Sequence, residues 1–118
     1  DQLAVEGFNC ALINPRFTKP LDAGTTEFFA RAADVVVTLE DHVLAGGYGS
    51  SVLELMSEKN IATPVVRIGW PDQFIEHATT VNYLRQKHGL TAENAIAQVK
   101  TVLSSESPSV TRSLVGVA

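Results

Sequence analysis

The chain's hydrophobic pattern is sharpest where Val35-Val36-Val37-Thr38 forms an unbroken β-branched run. Leu39, Glu40, Asp41 and His42 follow it, and then the glycines Gly46, Gly47 and Gly49. A run of this kind suits a strand buried on both faces, as in a parallel sheet covered by helices. Polar residues just after such a strand stand at the sheet's carboxyl edge, where glycines let the backbone turn. Ser51 with Glu54 reads as a capping box, opening a helix through Val52, Leu53, Leu55 and Met56. Backbone N–H groups at a helix start favour an anion or a carboxylate.

The same reading extends in both directions. Asp1 to Gly7 has the pattern of the last turns of an amphipathic helix stopped by Gly7. It opens without a first turn of its own, as expected of a piece of a longer protein, with a strand among the missing residues. Phe8 to Ile13 reads as a strand, and the two prolines of Asn14 to Pro20 exclude helix from the loop that follows. Leu21 to Ala33 is helical, with Phe28, Phe29 and Ala32 on one face. Val65 to Ile68 is a strand, and Gly69-Trp70-Pro71-Asp72 turns the chain out of the sheet. Gln73 to Gly89 is expected to be helical in two pieces, and Thr91 caps a last helix to Leu103 that has Asn94 and Gln98 on its polar face. Alternating strands and helices predict an α/β domain, three layers with a mainly parallel sheet flanked by helices. Its expected span is 1–103; the Ser-rich 104–118, with Pro108 and no clear period, is expected to be a mobile tail or to be held by another chain.

Composition narrows the partners. At 118 residues and 45% hydrophobic content, one domain with its own core is expected. A net charge of −4 without a Lys/Arg run gives no footprint for nucleic acid or an anionic membrane. No apolar stretch approaches the roughly 20 residues that span a bilayer, and a soluble, cytoplasmic protein is expected. The single Cys10, in an apolar run, has no internal disulfide partner and reads as a core residue.

The chemistry on offer is sparse. Gly47-Tyr48-Gly49 departs from the dinucleotide fingerprint, because Val52 stands at the third glycine position; Asp72 is separated from its strand by Gly69-Trp70-Pro71. Adjacent carboxylates such as Glu40 and Asp41 point apart at a strand end, so one is expected to cap or pair with a neighbouring loop while the other meets solvent. His42 is either a proton-handling group at a site mouth or structural. His77 and His88 lack a second ligand four residues on, which argues against a metal site. Ser50 and Ser51 lack the nucleophile-elbow frame and read as helix caps. Arg16 and Lys19 are suited to a phosphate or to an acidic residue of another domain. Trp70 and Phe74 are suited to an apolar contact with a partner.

Three segments resemble a known family. Asn14-Pro15-Arg16-Phe17-Thr18-Lys19-Pro20-Leu21-Asp22, Val37 to His42 with Gly46-Gly47-Tyr48-Gly49-Ser50, and Ile68-Gly69-Trp70-Pro71-Asp72-Gln73-Phe74-Ile75-Glu76-His77 are similar, in order and spacing, to the carboxy-terminal domain of transketolase-like thiamine diphosphate enzymes. Within that group they most resemble the 1-deoxy-D-xylulose-5-phosphate synthases, with Asn14 replacing the usual Asp. Gly89-Leu90-Thr91-Ala92-Glu93 extends the likeness. The alternatives are the corresponding domain of another transketolase or of a 2-oxoacid dehydrogenase β subunit, a separate subunit of a split enzyme, and a free-standing anion-binding α/β module.

The resemblance implies a parent enzyme that joins pyruvate to glyceraldehyde 3-phosphate with loss of carbon dioxide, for isoprenoid precursors, using thiamine diphosphate and magnesium. It also implies that the amino-terminal domain holds the diphosphate and the metal, and that the middle domain supplies the glutamate activating the cofactor's pyrimidine. The third domain packs on those and on a second subunit of a homodimer. No catalytic, cofactor-binding or metal-binding residue is therefore assigned here, and the fragment alone is expected to be inactive. The candidate face toward the rest of the enzyme comprises Arg16, Lys19, Glu40, Asp41, His42, Gly46, Gly47, Gly49, Ser50 and Asp72. Because the family's domain begins with a further strand, an open sheet position is expected, with self-association or marginal stability as its consequence.

Overall fold

The structure is a computed structural model describing residues 2–105 and 113–117. Its elements are α1 (Gln2–Val5), β1 (Asn9–Ile13), α2 (Ala23–Ala32), β2 (Val35–Val43), α3 (Tyr48–Glu58), β3 (Val65–Trp70), α4 (Val81–His88), α5 (Ala92–Ser105) and β4 (Ser113–Val117). The four strands form one sheet in the order β1-β4-β2-β3, with every pairing parallel.

β2 is the central support because its β-branched residues feed both faces. Val35 and Val37 pack with Val66 and Ile68 of β3 and with Ala95, Val99 and Leu103 of α5. Val36 packs the other way, against Ala30 of α2 and Val52 and Met56 of α3. Helices on both faces of a parallel sheet give the three-layer α/β architecture that the alternation predicts. The connections through α2 and α3 run toward β3 across one face, and the return through α5 to β4 crosses the other face. That change of face is what a constant crossover hand requires.

Local chemistry sets the helix ends. Asp22 Oδ1 accepts from Thr25 N at 3.0 Å to start α2. Thr80 Oγ1 accepts from Tyr83 N at 3.2 Å to start α4, and Thr91 Oγ1 accepts from Asn94 N at 3.2 Å beside the start of α5. Gly89, left-handed at φ 77°, closes α4 and lets Leu90 N reach Arg85 O.

Four expectations change. Only Val81–His88 of the Gln73–Gly89 stretch is helical; residues 71–80 are irregular, with Ala78 at a left-handed φ of 66° that no continuous helix contains. Cys10 is exposed, because β1 is an edge strand and α1 is too short to cover its face. Within the expected tail, α5 runs through Ser105 and residues 113–117 form β4. Residues 106–112 lie outside the described residues. An open sheet position was expected, and β4 lies between β1 and β2, pairing Asn9 through Ile13 with Ser113 through Val117 on one side and Val35 through Thr38 with Leu114 through Val117 on the other. Among the described residues, β1 meets the sheet through β4 alone.

Candidate functional site at the carboxyl edge

Because the strands are parallel, the loops after β1, β2 and β3 all leave from one edge of the sheet. That places Arg16 and Lys19, the Glu40–Ser50 segment, and Asp72 along the same edge. β2 continues through Val43, with an irregularity against β3 between Leu39 and Val43, so Glu40, Asp41 and His42 belong to the strand end itself.

Glu40 turns inward. Its Oε2 accepts from Tyr48 N at 2.6 Å and its Oε1 from Gly49 N at 3.1 Å. α3 begins at Tyr48, three residues before Ser51, and its Gly47 N-cap has no side chain to offer. The neighbouring strand therefore supplies the cap that the helix lacks, and the expected capping box at Ser51 and Glu54 is not the helix start. A carboxylate on two amides at the positive end of a helix is the anion that such an end favours. Here the anion is part of the chain.

The glycines follow from that arrangement. A Cβ at Gly47 would overlap Glu40 Oε2 and lie 2.6 Å from Val43 O; one at Gly49 would lie 2.6 Å from Thr38 Oγ1 and 2.8 Å from Arg67 Nε. Gly69, on β3, is pressed in the same way by Leu44 Cδ2 at 2.8 Å and His42 O at 2.9 Å. Gly46, at φ 70°, makes the turn, and its N–H donates to Ser50 Oγ at 3.1 Å. Ser50 Oγ donates to Leu44 O at 3.0 Å, and Arg67 Nη2 reaches both Ser50 Oγ at 3.0 Å and Leu44 O. Ser50 thus fastens the loop. Thr38 Oγ1 and Arg67 Nε are buried beside Gly49 without a hydrogen-bond partner.

Asp41 turns outward, as the alternation of a strand requires. Its Oδ1 accepts from Trp70 Nε1 at 2.7 Å and its Oδ2 from Arg85 Nη2 at 2.7 Å. The Trp70 hydrogen bond first, and then Arg85, hold its carboxyl below the usual range. Trp70 packs edge-on against His88 with ring centres 5.8 Å apart, and His88 Nε2 lies 3.5 Å from Glu76 Oε2. Lys87 donates to Glu76 as well, and that bond above all pulls the Glu76 carboxyl from 4.5 to about 2. His42 keeps its Nδ1 2.9 Å from its neighbour's Val43 O. Arg16, Lys19 and Asp72 are exposed, and no ion pair among the described residues joins them to the Glu40 or Asp41 clusters.

On the α5 side of the sheet lies a cavity of about 840 Å³, walled by Leu3, Phe8, Leu90 and Val99, with Asp41 and Arg85 at its polar end. Sequence reasoning did not single out Arg67 or Arg85. Arg67 carried a signal, a lone cation inside the apolar run Val65 to Ile68. Arg85 carried none, since its partner lies 44 positions away. Among the described residues, no group of three or more His, Cys, Asp or Glu side chains is placed to hold a metal ion.

Fold and site together define a three-layer parallel α/β domain whose helix-start anion site is filled from within. Residues 1–95 match the family described as transketolase, C-terminal domain, and the chain belongs to it. It is 57% identical over 97 residues to the 1-deoxy-D-xylulose-5-phosphate synthase of Methylacidiphilum infernorum, covering 82% of this chain and 15% of that protein. It is 44% identical over 108 residues to the synthase of Acidobacterium capsulatum, covering 92% and 17%, and 44% identical over 104 residues to that of Heliobacterium modesticaldum, covering 88% and 16%. The chain therefore spans about a sixth of the length of the curated relatives it matches. The likeness read from the three motifs holds for the carboxy-terminal domain of these synthases.

Proposed function

We propose that this chain is the carboxy-terminal assembly domain of a 1-deoxy-D-xylulose-5-phosphate synthase. In this reading it docks its carboxyl edge on the two other domains and contributes to a homodimer contact without supplying a catalytic group. The observation that carries the reading is the 57% identity to a protein of that name. The geometry of the edge supports it: the α3 amides are taken by Glu40 and the Asp41 carboxylate by Trp70 and Arg85, so these groups are committed to the domain's own shape. Phe74, fully exposed just beyond β3, and Phe17, on the loop after β1, offer apolar contact at the same edge.

The parent enzyme's thiamine diphosphate and magnesium are assigned to its other domains. Such a cofactor supplies the carbanion chemistry wherever it is bound. The residues here do not fit it, because the helix start that would suit a diphosphate already holds Glu40 and, among the described residues, no group of three or more His, Cys, Asp or Glu is placed to hold a metal. The same occupancy weighs against a free-standing anion module. No helix among the described residues is long and apolar enough to cross a membrane.

The test is complementation. The Methylacidiphilum infernorum synthase, truncated before the region matched by this chain, is mixed with this chain and assayed for pyruvate-dependent carbon dioxide release. Binding together with recovered activity is expected; turnover by this chain alone, or absence of binding, would overturn the proposal.

A further inference from the structure

The segment between β3 and α5 is held differently from the rest of the domain. Each of α2, α3 and α5 buries residues in the core, but no residue from Pro71 to His88 is buried; Ile75 and Leu84 are half-buried at most. Outside α4 itself, the backbone hydrogen bonds of this segment among the described residues close within it or at its end: Gln73 N to Pro71 O, Leu84 N to Thr80 O, Gly89 N to Gln86 O and Leu90 N to Arg85 O. Glu76 ties its two halves to each other, through Lys87 and through His88 Nε2 at 3.5 Å. Two contacts fasten the segment to the sheet. Arg85 Nη2 donates to Asp41 Oδ2 at 2.7 Å, and the His88 ring packs edge-on against Trp70 with centres 5.8 Å apart. Both depend on Asp41, because its Oδ1 also accepts from Trp70 Nε1 at 2.7 Å and so sets the ring that His88 meets.

We infer that residues 71–88 form a strap that opens as one piece while β2, β3, α3 and α5 stay folded, with Asp41 as its latch. Gly89, at a left-handed φ of 77°, is the hinge at one end, and its carbonyl is held to α5 by Asn94 Nδ2 at 2.7 Å. Leu90 beyond it packs on the core, so the motion stops there. Trp70, whose carbonyl accepts from Leu44 N at 2.9 Å, is the fixed point at the other end. A segment with few buried apolar contacts and solvent-exposed ties opens at lower cost than the core unfolds. The ion pair that closes it is open to water, Arg85 being 42% and Asp41 61% exposed, so salt weakens it. Opening uncovers Asp41 and Trp70 together at the carboxyl edge. A cation that takes Asp41 in place of Arg85 therefore shifts the strap toward its open form. The inference rests on the domain's own contacts and stands apart from the docking reading.

Amide hydrogen exchange on the full chain, read by mass spectrometry, is the test. In the unaltered chain the amides of residues 84–88 in α4 are expected to be protected about tenfold less than those of 96–103 in α5. Asp41→Ala, which removes the Arg85 and Trp70 ties together, should lower the protection of 84–88 by about a further fivefold and leave that of 96–103 within about twofold. Raising sodium chloride from about 0.05 M to about 1 M should act on the unaltered chain in the same direction, again on α4 and not on α5. This salt series needs no substitution and so decides the matter even where the variant fails to fold. Equal protection of the two helices in the unaltered chain, a loss in Asp41→Ala shared equally by α5, or no response of α4 to salt would overturn the inference.

Discussion

Replacing Glu40 by Ala removes the acceptor of two amide hydrogen bonds at the start of α3, leaving Tyr48 N and Gly49 N without their partner. Loss of a side-chain cap costs about 1 kcal/mol and reaches about 2 kcal/mol in unfavourable cases. A charged acceptor raises the worth of each bond, while the half-buried position of Glu40 lets water recover part of it. The expected net loss is about 2 kcal/mol. Glu40→Gln keeps one acceptor oxygen and loses the charge opposite the helix dipole, so about half that loss is expected. Urea unfolding followed by circular dichroism at neutral pH reads both: with a slope of about 1–2 kcal/mol per molar, the Ala variant's midpoint falls by about 1–2 M. The Gly47→Ala exchange sharpens the test, because its Cβ collides with Glu40 Oε2 in the native chain and is relieved of that collision, though not of the approach to Val43 O, once the Glu40 side chain is gone. The two losses should therefore fall short of adding in a double-mutant cycle. An Ala variant within about 0.5 kcal/mol of the native chain would refute the internal-anion argument.

Other positions separate the remaining interactions. Gly49→Ala places a methyl 2.6 Å from buried Thr38 Oγ1 and 2.8 Å from Arg67 Nε, and a lowered melting temperature of a few degrees is expected in a thermal scan. Glu76 titrates lower in the folded chain than in the unfolded one; its stabilising contribution is therefore complete above about 4.5 and is lost as pH falls toward about 2. Glu76→Gln should flatten that acid limb when urea midpoints are measured from pH 6 down to about 2. Val99→Ala empties a fully buried site on α5 and should cost about 2 kcal/mol in the same unfolding assay. Phe74→Ala, at a fully exposed position, should leave stability within about 0.5 kcal/mol while weakening capture by the truncated synthase.

How much was legible depended on the range of the interaction. Val35 to Thr38 announced a two-faced strand because its own composition satisfies both cores, and Thr91 announced a helix start because a cap acts within three residues. Ser51 misled for the same local reason: it has the right residue type at the right spacing, but the cap comes from Glu40 across a strand-to-helix turn. That Glu40 and Asp41 point apart was readable from alternation along a strand, but not which of them turns inward. Their partners were not, because Arg85 and Trp70 reach Asp41 through the fold. β4 was hidden in a Ser-rich segment without alternation. Its strand character comes from two partner edges supplied from elsewhere in the chain.

The sheet order also sets a timetable for assembly. β1 is the earliest strand of the described chain to leave a ribosome, yet its only ladder is with β4, the latest. β2 and β3, separated by a single helix, can pair and collect α3 while β1 still waits. Contacts across so long a stretch form slowly, because the loop they close must be ordered before the pairing repays it. Among the described residues, β1 with its exposed Cys10 therefore gains a ladder only when Ser113 to Val117 arrives.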